Sequence, residues 1–411
     1  MRSRPVLPIV LAALALGAAA AGPAHAIPWD VSGAVSPART PPVSGPDPGC
    51  AQSYADDAPR GGPPIRFGIG PRPAGEAGLV QTTPLTPQDS RKRDAALVAL
   101  RGDRSLTVRL NRMFSADGAR GIAHFKALAE HYARLGLKVE LQVRYHPTAA
   151  HDGDMAAWLG YVRDVVRAFG PIHAVTGLQI TNEVNLKISP NTSDGAYRNP
   201  VAALVRGVIA AKREARRLHH DQLKVGFNFA WRSAGAEDAA FFRSIRSLGG
   251  TTFLRALDWV GIDIYPATFV PGILYPAPVT NLGDAFLEGL AQARECYLPL
   301  AGIGRSTPIR VEETGYPTGP GRTEAAQLSA LGDIVRTAVA YRGTYNISDL
   351  RWFGLRDNNE HGPTFQSFFG LLRDDYSPKP AWALYRRLVA RHGAPRGSQP
   401  SQSSSPRNAW P

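Results

Sequence analysis

At 411 residues, with 44% hydrophobic and 20% charged side chains, the chain can bury a large core, which excludes collagen-like, coiled-coil and wholly disordered classes. Lys and Arg number 47 against 34 Asp and Glu, a formal net charge of +13 that favours anionic surfaces or polymers as neighbours. The basic residues are diffuse: only Arg386, Arg387 and Arg391 approach a cluster, no nucleic-acid signature accompanies them, and no nucleic-acid partner is expected.

In chain order, Arg2 and Arg4 precede an apolar run from Val6 to Ala21, and Ala24-His25-Ala26 supplies a small-x-small cleavage site. Residues 1–26 are therefore expected to be a secretory signal peptide, and the mature chain to be secreted, extracellular or in the cell envelope. The run is short, interrupted by Pro8 and followed by Gly22 and Pro23, and no later stretch has the length to span a bilayer, so no membrane span is expected after cleavage. The two cysteines, Cys50 and Cys296, are expected to pair in an oxidising compartment. Residues 27–63 are dense in Pro, Gly, Ser and Ala and read as an arm or linker; residues 394–411 read as a disordered Ser/Pro-rich tail.

Between them, residues 64–393 alternate short β-branched runs with amphipathic stretches. The strand candidates are Ile65 to Gly70, Leu106 to Phe114, Leu137 to Tyr145, Val175 to Thr181, Leu223 to Ala230, Trp259 to Tyr265, Ile309 to Glu312 and Leu350 to Gly354. Helices are expected over residues 121–135, 155–169, 201–218, 239–248, 285–297, 325–341 and 381–391. Eight such repeats without a linker predict an α/β fold, a (β/α)8 TIM barrel forming a single catalytic domain. A doubly wound sheet would need a glycine fingerprint, and Phe67-Gly68-Ile69-Gly70 lacks the third glycine, so it reads as a strand-end turn.

Barrel strands deliver their C-terminal ends to one mouth, where polar residues are the first site candidates. The fourth strand ends in Thr181-Asn182-Glu183-Val184-Asn185 and the seventh in Val311-Glu312-Glu313-Thr314-Gly315-Tyr316. Strands four and seven lie across a barrel from one another, so two carboxyls can flank a bound sugar. One, protonated, would donate to the leaving oxygen; the other, ionised, would attack the anomeric carbon. The bland alternative is a pair of solvated rim charges matched by Arg109 or Arg310.

These residues resemble the clan A glycoside hydrolases, retaining (β/α)8 glycosidases whose acid/base follows an Asn at the end of strand four and whose nucleophile is a Glu ending strand seven. The resemblance spans roughly residues 64–393. It implies Glu183 as acid/base and Glu313, before Thr314-Gly315, as nucleophile. Alternation is expected to turn Glu312 and Glu313 to opposite faces, leaving one to point into the barrel. By the same resemblance Arg109 would hold the nucleophile, Asn182 and Tyr265 would contact the nucleophile or the sugar, and Trp352 would be the sugar platform. His146 reads equally as a hydroxyl-binding residue or a turn histidine, and Trp231 as a platform extension or a core residue. Val184 stands where many members have Pro.

The function so implied is a secreted retaining hydrolase of a β-glycosidic bond acting on an oligo- or polysaccharide, with no cofactor and no metal. The alternatives are a non-catalytic carbohydrate-binding or envelope protein on the same barrel, held electrostatically by anionic wall polymers, or a transglycosylase. His219-His220 and the pair His124 and His131 lack ligand partners at metal spacing, and no Gly-x-Ser-x-Gly elbow is present. Asp374-Asp375 reads as a turn before the last helix, and Asn191-Thr192-Ser193 and Asn346-Ile347-Ser348 are glycosylation sequons. The Pro-rich loop from Phe269 to Asn281 is the expected subsite wall.

Overall fold

Eight parallel strands close on themselves in sequence order, each neighbour hydrogen-bonded to the next and β8 returning to β1. They are β1 (Arg66–Ile69), β2 (Thr107–Phe114), β3 (Lys138–Arg144), β4 (Val175–Ile180), β5 (Lys224–Ala230), β6 (Trp259–Asp263), β7 (Ile309–Thr314) and β8 (Ile347–Trp352). The structure is a computed structural model that describes residues 57–71, 85–188, 190–232, 235–268 and 282–396. The expected signal peptide, Cys50 and with it the Cys50–Cys296 pairing, most of the arm, the 269–281 loop and nearly all of the tail lie outside the described residues. Among the described residues no helix is long and apolar enough to cross a membrane.

The crossovers are α1 (Ser90–Arg101), α2 (Gly118–Arg134), α3 (Met155–Phe169), α4 (Pro200–Arg217), α5 (Gly235–Ala256), α6 (Leu282–Ala291), α7 (Glu324–Ala340) and α8 (Pro380–His392). Their starts follow ordinary capping chemistry. Asp89 accepts from the amides of Arg91 and Lys92, Asp154 from Ala157, and Thr323 from Ala326, while α4 and α8 begin with proline, whose missing N–H costs nothing there. α5 bends at Gly250, where φ is +49°, and α6 runs on into a π-helical segment, Gln292–Tyr297, that holds the buried Cys296. The apolar core fills the layer between barrel and helices, with Val108, Leu141, Leu178, Phe227, Ile262 and Val311 facing Phe125, Val162, Leu204, Phe242, Leu290 and Leu331.

The inside of the barrel is ionic rather than branched-aliphatic. Glu140 on β3 accepts from Arg310 Nη1 on β7 at 2.7 Å and from Arg351 Nη2 on β8 at 3.3 Å; Arg351 also holds Asp349 Oδ1 at 2.6 Å. The Arg310 guanidinium lies 4.3 Å from the centre of the Trp259 ring. Burial alone would raise the Glu140 carboxyl, yet Arg351, a hydrogen bond from Glu312, and then Arg310 and Arg109 hold it down at about 2. Burial and the neighbouring Glu140 push Glu312 the other way, well above the usual carboxylate range. Glycine makes room for this layer. A Cβ on Gly177 would come within 2.9 Å of Arg310 Nη1 and Glu140 Cγ, and one on Gly261 within 2.8 Å of Asn228 Cβ and Glu312 Cγ.

At the end of the barrel opposite the mouth, both flanks of the domain are sewn down. Gly343 N donates to Arg60 O, Arg60 N and Ala58 O meet Thr344 Oγ1, and Tyr345 donates to Asp57. Ala394 N donates to Ile65 O and Ser105 N to Ala394 O, so the start of the expected tail is paired to β1 and the α1–β2 turn.

Candidate active site

The mouth is organised around Arg109 of β2, which is 2% exposed. Its Nη1 donates to Glu313 Oε1 at 2.7 Å and Asn111 Oδ1 at 2.7 Å, and its Nη2 to Gln179 Oε1 at 2.6 Å. Burial works against its charge, but the neighbouring carboxylates, Glu313 first and Glu140 among them, hold the guanidinium more firmly protonated than usual. The other Glu313 oxygen, Oε2, accepts from the Tyr265 hydroxyl at 2.9 Å. Burial and then Glu313 push the Tyr265 phenol well above its ordinary value, which keeps it a donor.

Glu183 arrives on a turn that the backbone does not adopt easily. Thr181 and Glu183 both have positive φ, 65° and 45°, outside the regions that L-residues favour. The turn is fixed by Thr181 N to Val143 O at 2.8 Å, Asn182 N to Asp194 Oδ2 at 2.9 Å and Glu183 N to Asn228 Oδ1 at 3.0 Å. Asp194 is itself held by Arg144 Nε at 2.7 Å and Tyr145 N at 2.9 Å. Asn182 links the two glutamates. Its Nδ2 donates to Glu183 Oε2 at 3.3 Å, and its Oδ1 accepts from Gln142 Nε2 at 2.8 Å, which also reaches Glu313 Oε1 at 3.4 Å. The arginines nearest Glu183 are committed elsewhere, Arg109 to Glu313 and Arg144 to Asp194. Burial, and then the charge of Glu313, push the Glu183 carboxyl up to about 8.

The expected residues therefore meet in part. Glu183, Glu313, Arg109, Asn182 and Tyr265 form one hydrogen-bonded cluster. His146 lies outside that cluster, its ring edge-on to Phe114 at 4.3 Å and its Nδ1 against the Tyr197 hydroxyl; burial, then Arg144 and Arg112, lower it to about 4. Trp352 is not a platform. It has no exposed surface and packs towards Tyr385 with ring centres 6.3 Å apart. The aromatic at the mouth is its neighbour Phe353, half-buried and edge-on to Tyr265 at 6.0 Å and to Phe369 at 5.6 Å. Trp231 is 4% exposed and donates to Gln292 Oε1, which places it in the core.

The expectation that only one of Glu312 and Glu313 points inward also fails. The pairing of β6 with β7 steps from Ile262↔Val311 to Asp263↔Glu313, skipping Glu312. That irregularity breaks strict alternation, and Arg109 reaches both carboxyls: Nε lies 3.3 Å from Glu312 Oε2 and Nη1 2.7 Å from Glu313 Oε1. Glu312 belongs to the ionic floor and Glu313 to the mouth. Sequence reasoning did not single out Gln142, Gln179, Asn228 and Asp263, each an inward-facing polar residue on a strand otherwise rich in apolar side chains. Among the described residues no group of three or more His, Cys, Asp or Glu could hold a metal ion.

The closed eight-stranded parallel barrel is a (β/α)8 fold that the chain shares with glycoside hydrolases of solved structure. Among solved structures, the chain is similar to a family 39 glycoside hydrolase from Bacteroides cellulosilyticus WH2 (17% identity, TM-score 0.52, covering 80% of this chain and 64% of that one). It is similar also to the exo-beta-1,4-mannosidase Op5Man5 from Opitutaceae bacterium strain TAV5 (14%, 0.54, covering 80% and 60%) and to GH5_18 from Bifidobacterium longum subsp. longum (16%, 0.56, covering 82% and 81%). The chain thus spans less than two thirds of the first two proteins. No family model and no curated protein sequence matches it.

Proposed function

We propose that this chain is a secreted retaining glycoside hydrolase that cleaves a β-glycosidic bond of an oligo- or polysaccharide by double displacement. The observation that carries the reading is the contrast between two carboxyls of one hydrogen-bonded cluster: Glu313 tied to a guanidinium and a phenol, Glu183 buried without an ion pair and raised to about 8. The Glu183 proton passes to the glycosidic oxygen as Glu313 attacks the anomeric carbon; the bond to the leaving group breaks and an ester to Glu313 forms. Glu183, now a carboxylate, takes a proton from water, whose oxygen displaces Glu313. Arg109 and Tyr265 orient the nucleophile, Asn182 holds Glu183 and is linked to Glu313 through Gln142, and Phe353 offers a ring to the apolar face of the sugar. The carbohydrate hydrolases named among the structural neighbours support the substrate class. The leader over residues 1–26 supports export, and export in turn supports a Cys50–Cys296 disulfide.

The test is a panel of aryl β-glycosides and polysaccharides assayed with the wild type, Glu183→Gln and Glu313→Gln. Turnover should fall at least ~10³-fold in both variants for poor leaving groups. A 2-deoxy-2-fluoro glycoside should add its glycosyl mass to the peptide carrying Glu313. Unchanged turnover in either variant, or label on another peptide, overturns the assigned role.

A further inference from the structure

The mechanism above leaves one buried acid at the mouth without a task. Asp263 ends β6, is 2% exposed, and faces both glutamates. Its Oδ2 accepts from Asn228 Nδ2 at 2.5 Å; the same amide nitrogen reaches Asn182 Oδ1 at 2.8 Å, and Asn228 Oδ1 receives Glu183 N. Asn228 thereby locks Asp263 to the turn that carries Glu183. The second oxygen, Oδ1, is buried and receives no donor from the protein, as expected of an oxygen that bears a proton. Asn228 thus sets the Asp263 carboxyl beside that of Glu183, where it works against the upward push that burial and Glu313 exert on Glu183.

We propose, building on the glycosidase reading, that Asp263 is a positioning residue for Glu183, its Oδ1–H donating to the Glu183 carboxyl throughout the cycle. The charge inventory explains why such a donor is needed. Before reaction the negative charge sits on Glu313, opposite Arg109. In the glycosyl-enzyme Glu313 is a neutral ester and the charge has moved to Glu183, which has no ion pair, because Arg144 is held by Asp194. A neutral acid beside Glu183 stabilises that carboxylate until water gives up its proton, and itself neither gains nor loses one. The surroundings of the pair agree: burial first, then Glu313 on β7 and Glu183 itself, disfavour a charge on Asp263 and Arg109 on β2 opposes them only in part, while Arg144 on β3 acts on Glu183 and Tyr265 remains a neutral phenol.

Asp263→Asn keeps an acceptor for Asn228 and a donor for Glu183, whereas Asp263→Leu keeps neither. With an aryl β-glycoside of poor leaving group, the basic limb of kcat/KM should stay in place for Asp263→Asn and move up by about one pH unit for Asp263→Leu. On the 2,4-dinitrophenyl glycoside, where deglycosylation limits, kcat should drop ~10- to 100-fold only in the leucine variant. A downward move of the limb in Asp263→Asn would mean that the native residue is charged, and activity lost in Asp263→Leu without any move would mean a merely structural role; either overturns the proposal. An infrared difference spectrum at pH 7, wild type minus Asp263→Asn, should contain a protonated-carboxyl band, and carboxylate bands alone would also overturn it. That spectrum needs no turnover, so failure of the glycosidase reading and failure of the Asp263 assignment are separately visible.

Discussion

Glu183 and Glu313 belong to one hydrogen-bonded cluster but differ in their partners, and the difference has measurable consequences. Glu183 as a general acid is active while protonated, so kcat/KM on a poor leaving group should fall as pH rises through about 8. Stability carries the same signature. The folded carboxyl binds its proton up to about 8 and the unfolded one only to 4.5, so in that window the folded state holds the extra proton and stability declines as pH rises. Glu183→Gln cannot titrate: its Tm should match the wild type near pH 4 and exceed it by several degrees near pH 8 in a thermal melt series. Equal Tm differences at both pH values would contradict the burial account. Both glutamates were legible in the sequence because strand ends announce themselves by position. Asp263 and Asn228 were not, since a lone polar residue on a strand has no pattern to stand out from until its neighbours on other strands are known.

At the scale of the element, β7 and β8 show how far periodicity reaches. The outline Ile309 to Glu312 stopped short because Glu312, Glu313 and Thr314 are polar, though all three are buried. The outline Leu350 to Gly354 began late because Ser348 and Asp349 are polar, Asp349 being held inside the barrel by Arg351. α1 went unread: its first turn is Ser-Arg-Lys-Arg, and only Leu97 and Leu100 are fully covered, too narrow a stripe to signal a helix. The phase of β8 also decides which aromatic meets a ligand. Trp352→Ala should cost about 3–5 kcal/mol of stability in denaturant unfolding through an unfilled core. Phe353→Ala should leave the midpoint near that of the wild type and raise KM roughly tenfold. The opposite pattern would return the platform to Trp352.

Over the whole barrel, the eightfold alternation was readable because the crossover helices other than α1 show a 3.6-residue stripe while the strands are short and apolar outside; the interior, whose charges are matched only across strands, was not. Close packing there is steric as well as electrostatic. Gly261→Ala would press a methyl group against Glu312 and Asn228 and should destabilise the fold by ~2 kcal/mol or more, measured by chemical unfolding. The sewn-down N-terminal flank makes a separate prediction. A chain starting at Asp57 should melt several degrees above one starting at Pro64, which lacks the bonds to Gly343, Thr344 and Tyr345, and the two should share one kcat. Because residues 57–64 and 393–395 are both fastened to the rim remote from Glu183 and Glu313, a resin linkage or module joined directly at residue 57 or 396 would leave the opening pointing outward, and a protein trimmed to those ends could be immobilised without blocking access of a long polymer.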